Sequence, residues 1–444
     1  METLMLMLGV GARGDGVQEV LDLKYRTANY CLPEAPTRTV TTPFVGEALL
    51  DLYPGRFGAV HLFGTRDSMW HTLYRHAAGR EMRQDQEELF FRLADGVESR
   101  SLEEHTGDWR GMEALLSERF GLPVTAHLMP LPHTEDGIWT MLKTMASAQI
   151  RDGVVSIDIT HGLRVHPVFL LVTLFYLRSL RPGLRVGSVF YGALDLQGTF
   201  GGAAPVLDLK PIVALMDWVE AAKAFDRYGD AGPVAALLRQ ADGDGLEKTA
   251  RRIEYLSRVL ELNLLGDLGL NTRKLVKEVG HVDDSRLVPL ALVRDRLLAF
   301  PREIAGEPVE WMRFLKTARY HMDHRRAGLA TLAAWEALIR RLADVYHIGE
   351  IPYEMHRRLG GIARGDRDIR YTSYPDHLRA FNHRVRRLNH IRNAVAHADQ
   401  ETSRRIQPGP VYDQLPGLIA YLETTLPDPW LERMPVYYPV APSS

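Results

Sequence analysis

Val154-Val155-Ser156-Ile157-Asp158-Ile159-Thr160-His161-Gly162 decides the fold class. Its first part is rich in β-branched apolar residues, too short for a helix and too apolar for a surface strand. Such a run reads as a strand buried on both faces, the mark of a parallel sheet covered by helices. It ends in Thr160-His161-Gly162, the composition of a strand-to-helix turn. Pro167 to Ser179 then takes helical spacing, and Pro167 suits a first helical position, where its missing N–H costs nothing.

Working outward, further apolar strands fall at Leu4 to Leu8, Ala59 to Phe63, Pro123 to Met129 and Arg185 to Tyr191. Helical stretches at Val45–Leu52, Ser68–His76 and Gly137–Ala148 lie between them. This alternation predicts an α/β, Rossmann-like N-terminal half. After about residue 205 strand signals nearly vanish. Pro211 to Asp226, Gly232 to Ala241, Leu246 to Leu262, Val309 to Tyr346 and Tyr374 to Ala398 are helical in spacing. The glycines near 241–245 mark a loop, and the Pro-rich C-terminus from Pro427 reads as irregular. Three segments follow: an α/β domain at 1–205, a helical connection at 206–300 and an all-α domain at 301–444.

Composition bounds the rest. The chain has 444 residues, 45% apolar and 25% charged, the balance of a globular protein of two or three domains. Lys+Arg total 54 against 56 Asp+Glu, so a generally basic, nucleic-acid-coating surface is excluded, though a local basic groove is not. The single cysteine, Cys31, forms no intrachain disulfide and no Cys-based zinc site. That usage fits a reducing, cytoplasmic setting. Met1 to Val10 lacks the basic start and cleavage site of a signal peptide, and Val168 to Leu177 is about half the length a bilayer requires. No membrane partner is expected.

Four motifs carry candidate chemistry. Gly9-Val10-Gly11-Ala12-Arg13-Gly14 matches G-x-G-x-x-G after a strand, but no amphipathic helix follows and no acid ends a second strand near Thr37 to Thr42. The glycines still let backbone N–H groups approach a phosphate. Gly64-Thr65-Arg66-Asp67-Ser68 sits where a strand hands over to a helix, where Thr65 or Ser68 can cap that helix or hold an anion. Asp158, Thr160, His161, Gly162 and Arg164 gather beyond a strand's carboxyl end, where open α/β sheets bind ligands. Asp158 also suits a buried turn-fixing role. A Ser68–His161–Asp158 hydrolytic triad is conceivable, but Ser68 is in no G-x-S-x-G elbow.

The fourth motif is Arg392-Asn393-Ala394-Val395-Ala396-His397. It ends a helix whose apolar positions Leu378, Phe381, Val385, Leu388, Ile391 and Val395 step by three and four. Between Asp376 and Arg405 seven arginines face three acids. Arg386 and Arg387 read as a solvated face or an RNA-contacting rim; His321, His324, Arg325 and Arg326 form another basic cluster, which either lines the RNA path or, the preferred reading, is surface. Arg392 and His397 are five apart, so they point about 140° away from each other. Two copies of the helix crossing at a two-fold axis would bring two Arg and two His together. Histidine moves protons at neutral pH, and arginine stabilises charge on a pentavalent phosphorus, so such a site suits metal-free RNA cleavage.

Asp158-Ile159-Thr160-His161-Gly162 resembles the D-x-T-H-G signature of CRISPR-associated proteins of type III systems. The N-terminal half is similar to their CARF domain. Thr42-Pro43-Phe44 before Glu47-Ala48-Leu49, Gly64-Thr65 with Ser68 and Trp70, and Tyr191-Gly192-Ala193 extend the likeness. The helical half resembles a HEPN domain, whose R-x(4–6)-H motif falls on Arg392, Asn393 and His397. The resemblance implies a homodimer or higher homo-oligomer that binds cyclic oligoadenylate, with cyclic tetraadenylate expected, as allosteric activator. It implies a single-stranded RNA endoribonuclease of antiviral defence that uses no metal or cofactor and leaves a 2′,3′-cyclic phosphate and a 5′-OH. Ligand contacts then fall to Gly9, Gly11, Gly64, Thr65, Ser68, Asp158, Thr160, His161, Gly162 and Arg164, and catalysis to Arg392, Asn393 and His397. The alternatives are a ring-binding regulator without nuclease activity and a sensor that also cleaves its own activator.

Overall fold

Apolar alternation within the short runs builds one sheet, which the computed structural model describes together with its helices over residues 1–10, 27–148, 153–241, 243, 245–280, 282, 287–366, 375–397 and 407–439. The chain divides into two units, Met1–Ala214 and Leu215–Ser444. In the first, β1 (Glu2–Leu8), β2 (Ala28–Leu32), β3 (Ala35–Thr42), β4 (Phe57–Thr65), β5 (Val124–Met129), β6 (Gly153–Asp158), β7 (Leu184–Gly192) and β8 (Ala204–Asp208) form a sheet ordered β3-β2-β8-β7-β6-β1-β4-β5. The run β7-β6-β1-β4-β5 is parallel, as continuous apolar strands require. The other edge is mixed, since β8 runs antiparallel to β7 and β3 antiparallel to β2.

Strand period puts Leu4, Leu6 and Leu8 on one face with Val60, Leu62, Val124 and Ala126. There they join residues of α1 (Val45–Leu52), α2 (Trp70–Ala78), α3 (Gln84–Glu98) and α4 (Gly107–Phe120) in one core. Trp70 and Trp109 cross edge to face within it, 4.8 Å between centroids. Met5, Met7, Phe63 and Ile157 are buried on the opposite side, where α5 (Glu135–Ser147) and α6 (Val165–Leu180) pack. A buried carboxylate fastens the first face. Glu47 accepts from Thr42 Oγ1 at 2.6 Å and from Arg119 at 2.7 Å, and pairs with His76 Nε2 at 2.6 Å. Those hydrogen bonds and charges outweigh burial and hold its carboxyl down at about 2.

Several local expectations need correction. The helix after β4 begins at Trp70 rather than Ser68, and neither Thr65 nor Ser68 caps it. Pro167 occupies the third position of α6, where the N–H would still be unpaired. The sheet continues past residue 205, because β8 ends at Asp208.

The second unit is helical among its described residues. It comprises most of α7 (Lys210–Tyr228), then α8 (Gly232–Gln240), α9 (Leu246–Glu261), α10 (Leu268–Val279), α11 (Val288–Gly306), α12 (Glu310–Asp323), α13 (Ala327–Val345), α14 (Tyr353–Arg364), α15 (Asp376–His397) and α16 (Pro408–Thr425). Residues from Trp218 to Ile304 share one hydrophobic core with those from Trp311 onward. The helix expected over Val309–Tyr346 breaks after Asp323, at the left-handed Arg325. His321 is fully buried, not surface. Nor are the described residues beyond Pro427 irregular: a 3₁₀ turn (Pro429–Arg433) and a short helix (Met434–Tyr437) bury Leu431 and Met434.

Candidate functional site

In the first unit the chain lays β4 and β5 on one side of β1, then crosses to lay β6 and β7 on the other. The reversal leaves a crevice beyond the carboxyl ends of β1 and β6, the place where open α/β sheets hold ligands. Gly9 follows β1 there, and Asp158 to Arg164 follow β6. Gly162 lies across this junction at φ 101°, a left-handed value that favours glycine. A Cβ on it would sit 3.3 Å from Met7 Cβ and 3.5 Å from His166 Nδ1, so the turn packs against both β1 and the first turn of α6.

The polar side chains of this turn are engaged inward. Asp158 is 1% exposed, and its Oδ1 accepts from Thr160 N at 3.2 Å and Thr160 Oγ1 at 2.5 Å. Thr160 Oγ1 in turn accepts from Gly192 N at 2.7 Å, tying the ends of β6 and β7 together. Asp158 Oδ2 has no partner, and burial raises the carboxyl to about 7 despite the two Thr160 bonds. Tyr30 OH is also buried and unpartnered, and burial followed by the charge of Asp158 pushes it up to about 12. His161 Nε2 lies 3.5 Å from the amide of Val45, the first residue of α1. Burial lowers its pKa to about 4, so the imidazole is neutral and able to accept at that helix N-terminus. Arg164, directly before α6, is exposed.

Thr65 and Ser68 form a second knot. Ser68 Oγ donates to the Leu8 carbonyl at 2.8 Å and accepts from Thr65 N at 2.9 Å, while Trp70 Nε1 donates to the Thr65 carbonyl at 2.8 Å. The Gly9 carbonyl accepts from Met69 N at 3.0 Å. Both hydroxyl residues are 1% exposed, so their side chains fix the ends of β1 and β4 rather than face outward. Gly64 is required for closeness, because a Cβ there would lie 2.6 Å from Trp70. Ser68, His161 and Asp158 each bond elsewhere, so no hydrolytic relay joins them. Gly11 lies outside the described residues. A cavity of about 900 Å³ opens at the amino ends of the strands, lined by Glu2, Thr3, His61, His105 and His127 among others, and contains none of the expected ligand residues.

In the second unit, α15 buries Leu378, Phe381, Val385, Leu388 and Ile391, as its spacing demands, but Val395 is 43% exposed. Arg392 is half-buried. Its NH1 donates to Asn393 Oδ1 at 2.9 Å, its guanidinium lies 5.9 Å from the Trp335 ring centroid, and its Nε is buried without an acceptor. The motif's two neighbours are thus brought together and aimed as one unit. His397 is the final residue of the helix, and its side chain lies outside the described part of the structure. Arg386 and Arg387 are exposed, as a solvated face requires, and each is also bonded within the unit. Arg386 donates to the carbonyls of Arg364 (2.6 Å) and Gly365 (3.2 Å) at the end of α14, and Arg387 to Gln414 at 3.1 Å. Arg384 stacks over Tyr421 at 4.4 Å.

Three partners escaped sequence reading. Tyr30 and Trp335 have no local signal, because each reaches its partner only through the fold. His166, buried with both ring nitrogens unpartnered, lies one residue from the Pro167 that drew attention to this helix.

Comparison with known proteins adds context. Residues 214–305 match the family model for the second domain of CRISPR-associated protein MJ1674. The CRISPR-associated protein MJ1674 of Methanocaldococcus jannaschii is 23% identical over 413 residues, which cover 90% of this chain and 62% of that protein. The chain therefore spans less than two thirds of its relative's length and is similar along most of its own to a CRISPR-associated protein.

Proposed function

We propose that this chain is a cyclic-oligoadenylate-activated endoribonuclease of CRISPR antiviral defence, with a CARF sensor in its first unit and a HEPN effector in its second. The observation that carries the reading is the coupled Arg392–Asn393 pair near the end of α15, with His397 closing the same helix. A polar, glycine-pinned turn at the sheet's switch point supports the sensor, and similarity to a CRISPR-associated protein supports the setting.

Anionic rings at the crevice would meet backbone N–H groups and Arg164, while Asp158 and Thr160 hold the turn in shape. In the effector, His397 takes the proton from an RNA 2′-OH as its oxygen bonds to the adjacent phosphorus. The bond from phosphorus to the 5′ oxygen breaks, and that oxygen leaves as a hydroxyl with a proton taken from water. Arg392 stabilises the extra charge on the phosphoryl oxygens, and Asn393 fixes the guanidinium plane. The products are a 2′,3′-cyclic phosphate and a 5′-OH.

Pairing of two copies supplies the second Arg and His. An apolar stripe on α6 suits such pairing: Val168, Val172, Tyr176 and Leu180, four residues apart in turn, are each more than half exposed. Activation requires the ring to bind the active arrangement more tightly than the resting one. The test is RNA cleavage by the purified chain against a panel of cyclic oligoadenylates, with product ends identified. One ring size should switch cleavage on and leave cyclic phosphate ends. Absence of cleavage with every ring would refute the proposal.

A further inference from the structure

The corner between α12 and α13 carries His321, His324, Arg325 and Arg326. His321 belongs to the core, where burial lowers its ring pKa to about 3 and keeps it neutral. Arg325 differs. It is exposed and sits at φ 59°, in the left-handed region that favours glycine. Its amide donates to the Met322 carbonyl at 3.0 Å, and the next amide, of Arg326, donates to the His321 carbonyl at 2.8 Å. These are the closing bonds of a helix end that glycine commonly occupies. A long cationic side chain is held at a backbone position that disfavours any side chain.

The corner is also pinned in place. The Arg325 carbonyl accepts from Tyr412 OH at 3.2 Å, which fixes it to α16. One turn on, a Cβ built at Gly328 would lie 3.2 Å from Val395 Cγ1. The corner therefore abuts the last turn of α15, which directly follows Arg392 and Asn393 and ends at His397. Among the described residues the Arg325 guanidinium has no ion pair. Half-buried Arg326 adds a second cation, its NH1 buried without an acceptor, against one exposed acid in the corner, Asp323.

We propose that Arg325 is a phosphate contact for the RNA strand, gripping the backbone beside the bond that Arg392 and His397 act on. The inference rests on the ribonuclease reading and names a binding residue outside the R-x(4–6)-H motif. A guanidinium with no ion pair among the described residues neutralises a phosphate at little cost, and the fixed corner sets its distance from the scissile bond.

The experiment measures binding of a fluorescent single-stranded RNA to the full chain carrying His397→Ala, saturated with the ring that activates the wild type. Arg325→Gly should weaken binding about fivefold near 50 mM salt and flatten the slope of log K against log salt by about 0.7. Its thermal midpoint should hold or rise, because glycine suits the left-handed backbone. Arg325→Asn, also tolerant of that backbone, should match it, and Arg325→Lys should keep most of the affinity. Unchanged affinity and slope in the glycine variant, with RNA still bound by the His397→Ala chain, would overturn this inference alone. If the His397→Ala chain binds no RNA, the ribonuclease reading fails and this proposal with it.

Discussion

Replacing Asp158 with asparagine should remove a pH dependence built into the sheet. The ordinary carboxyl value is 3.8, and burial in the folded chain raises it to about 7. A raised folded value means the native state binds the extra proton. Stability therefore falls as pH rises from about 4 to about 7, and is flat above that. At about 1.4 kcal/mol per pH unit, the span amounts to about 4 kcal/mol as an upper bound. Asp158→Asn keeps the Oδ1 acceptor for Thr160 and carries no charge. Its NH₂ takes the place of the unpartnered Oδ2, as the protonated acid's O–H does at low pH. The variant should thus equal the wild type near pH 4 and exceed it near pH 8, by about 2–4 kcal/mol. For a unit of this size that is roughly 5–15 °C in melting midpoint. Urea unfolding at pH 4 to 8, with hydrogen exchange of β6 and β7 peptides to locate the change, measures it. An asparagine variant less stable than wild type at pH 8, or one that keeps the wild-type pH slope, would refute the reasoning.

Glu47→Gln should destabilise the first unit by about 2–3 kcal/mol at neutral pH, because it strips the charge from a buried partner of His76 and Arg119. Since the folded carboxyl is lowered to about 2, the wild-type advantage should fade as pH falls below the ordinary 4.5, which urea midpoints would record. Trp335→Leu keeps an apolar filler but removes the ring beneath Arg392, so cleavage should fall about tenfold while RNA affinity changes little; single-turnover kinetics separate the two. Val172→Asp with Tyr176→Asp should leave the fold intact and yield monomers by light scattering, with cleavage lost if paired chains build the site.

The parallel strands were legible because each is a short apolar run that no other element tolerates. The edge strands were not. β3 (APTRTVTT) is mostly exposed and polar, and β8 holds Pro205, so both owe their pairing to neighbours rather than to pattern. The break at Asp323 was hidden because Arg325 takes the turn that glycine would have advertised. His321 could have been placed inside: it continues the stripe of Phe314, Leu315 and Ala318 at helical spacing. Prolines misled in the last segment, since Pro429 opens the 3₁₀ turn and Pro435 sits at the start of the short helix after it, positions that cost proline nothing. In the crevice, residue identities pointed to the carboxyl ends of β1, β4 and β6, which is where these residues lie. That Ser68 and Thr160 spend their hydroxyls on the scaffold is a tertiary fact, set by the Leu8 carbonyl of β1 and the Gly192 amide of β7, both distant in sequence.

We propose that a ring held by one unit licenses RNA cleavage by the other. The most direct test compares RNA cleavage rates of the wild-type chain and His397→Ala, each with and without the activating cyclic oligoadenylate, alongside ring binding by calorimetry. Cleavage is expected only from wild type with ring, with a loss of at least about a hundredfold in the variant and equal ring affinity in both. Full-rate cleavage by His397→Ala, or ring-independent cleavage by the wild type, would contradict it.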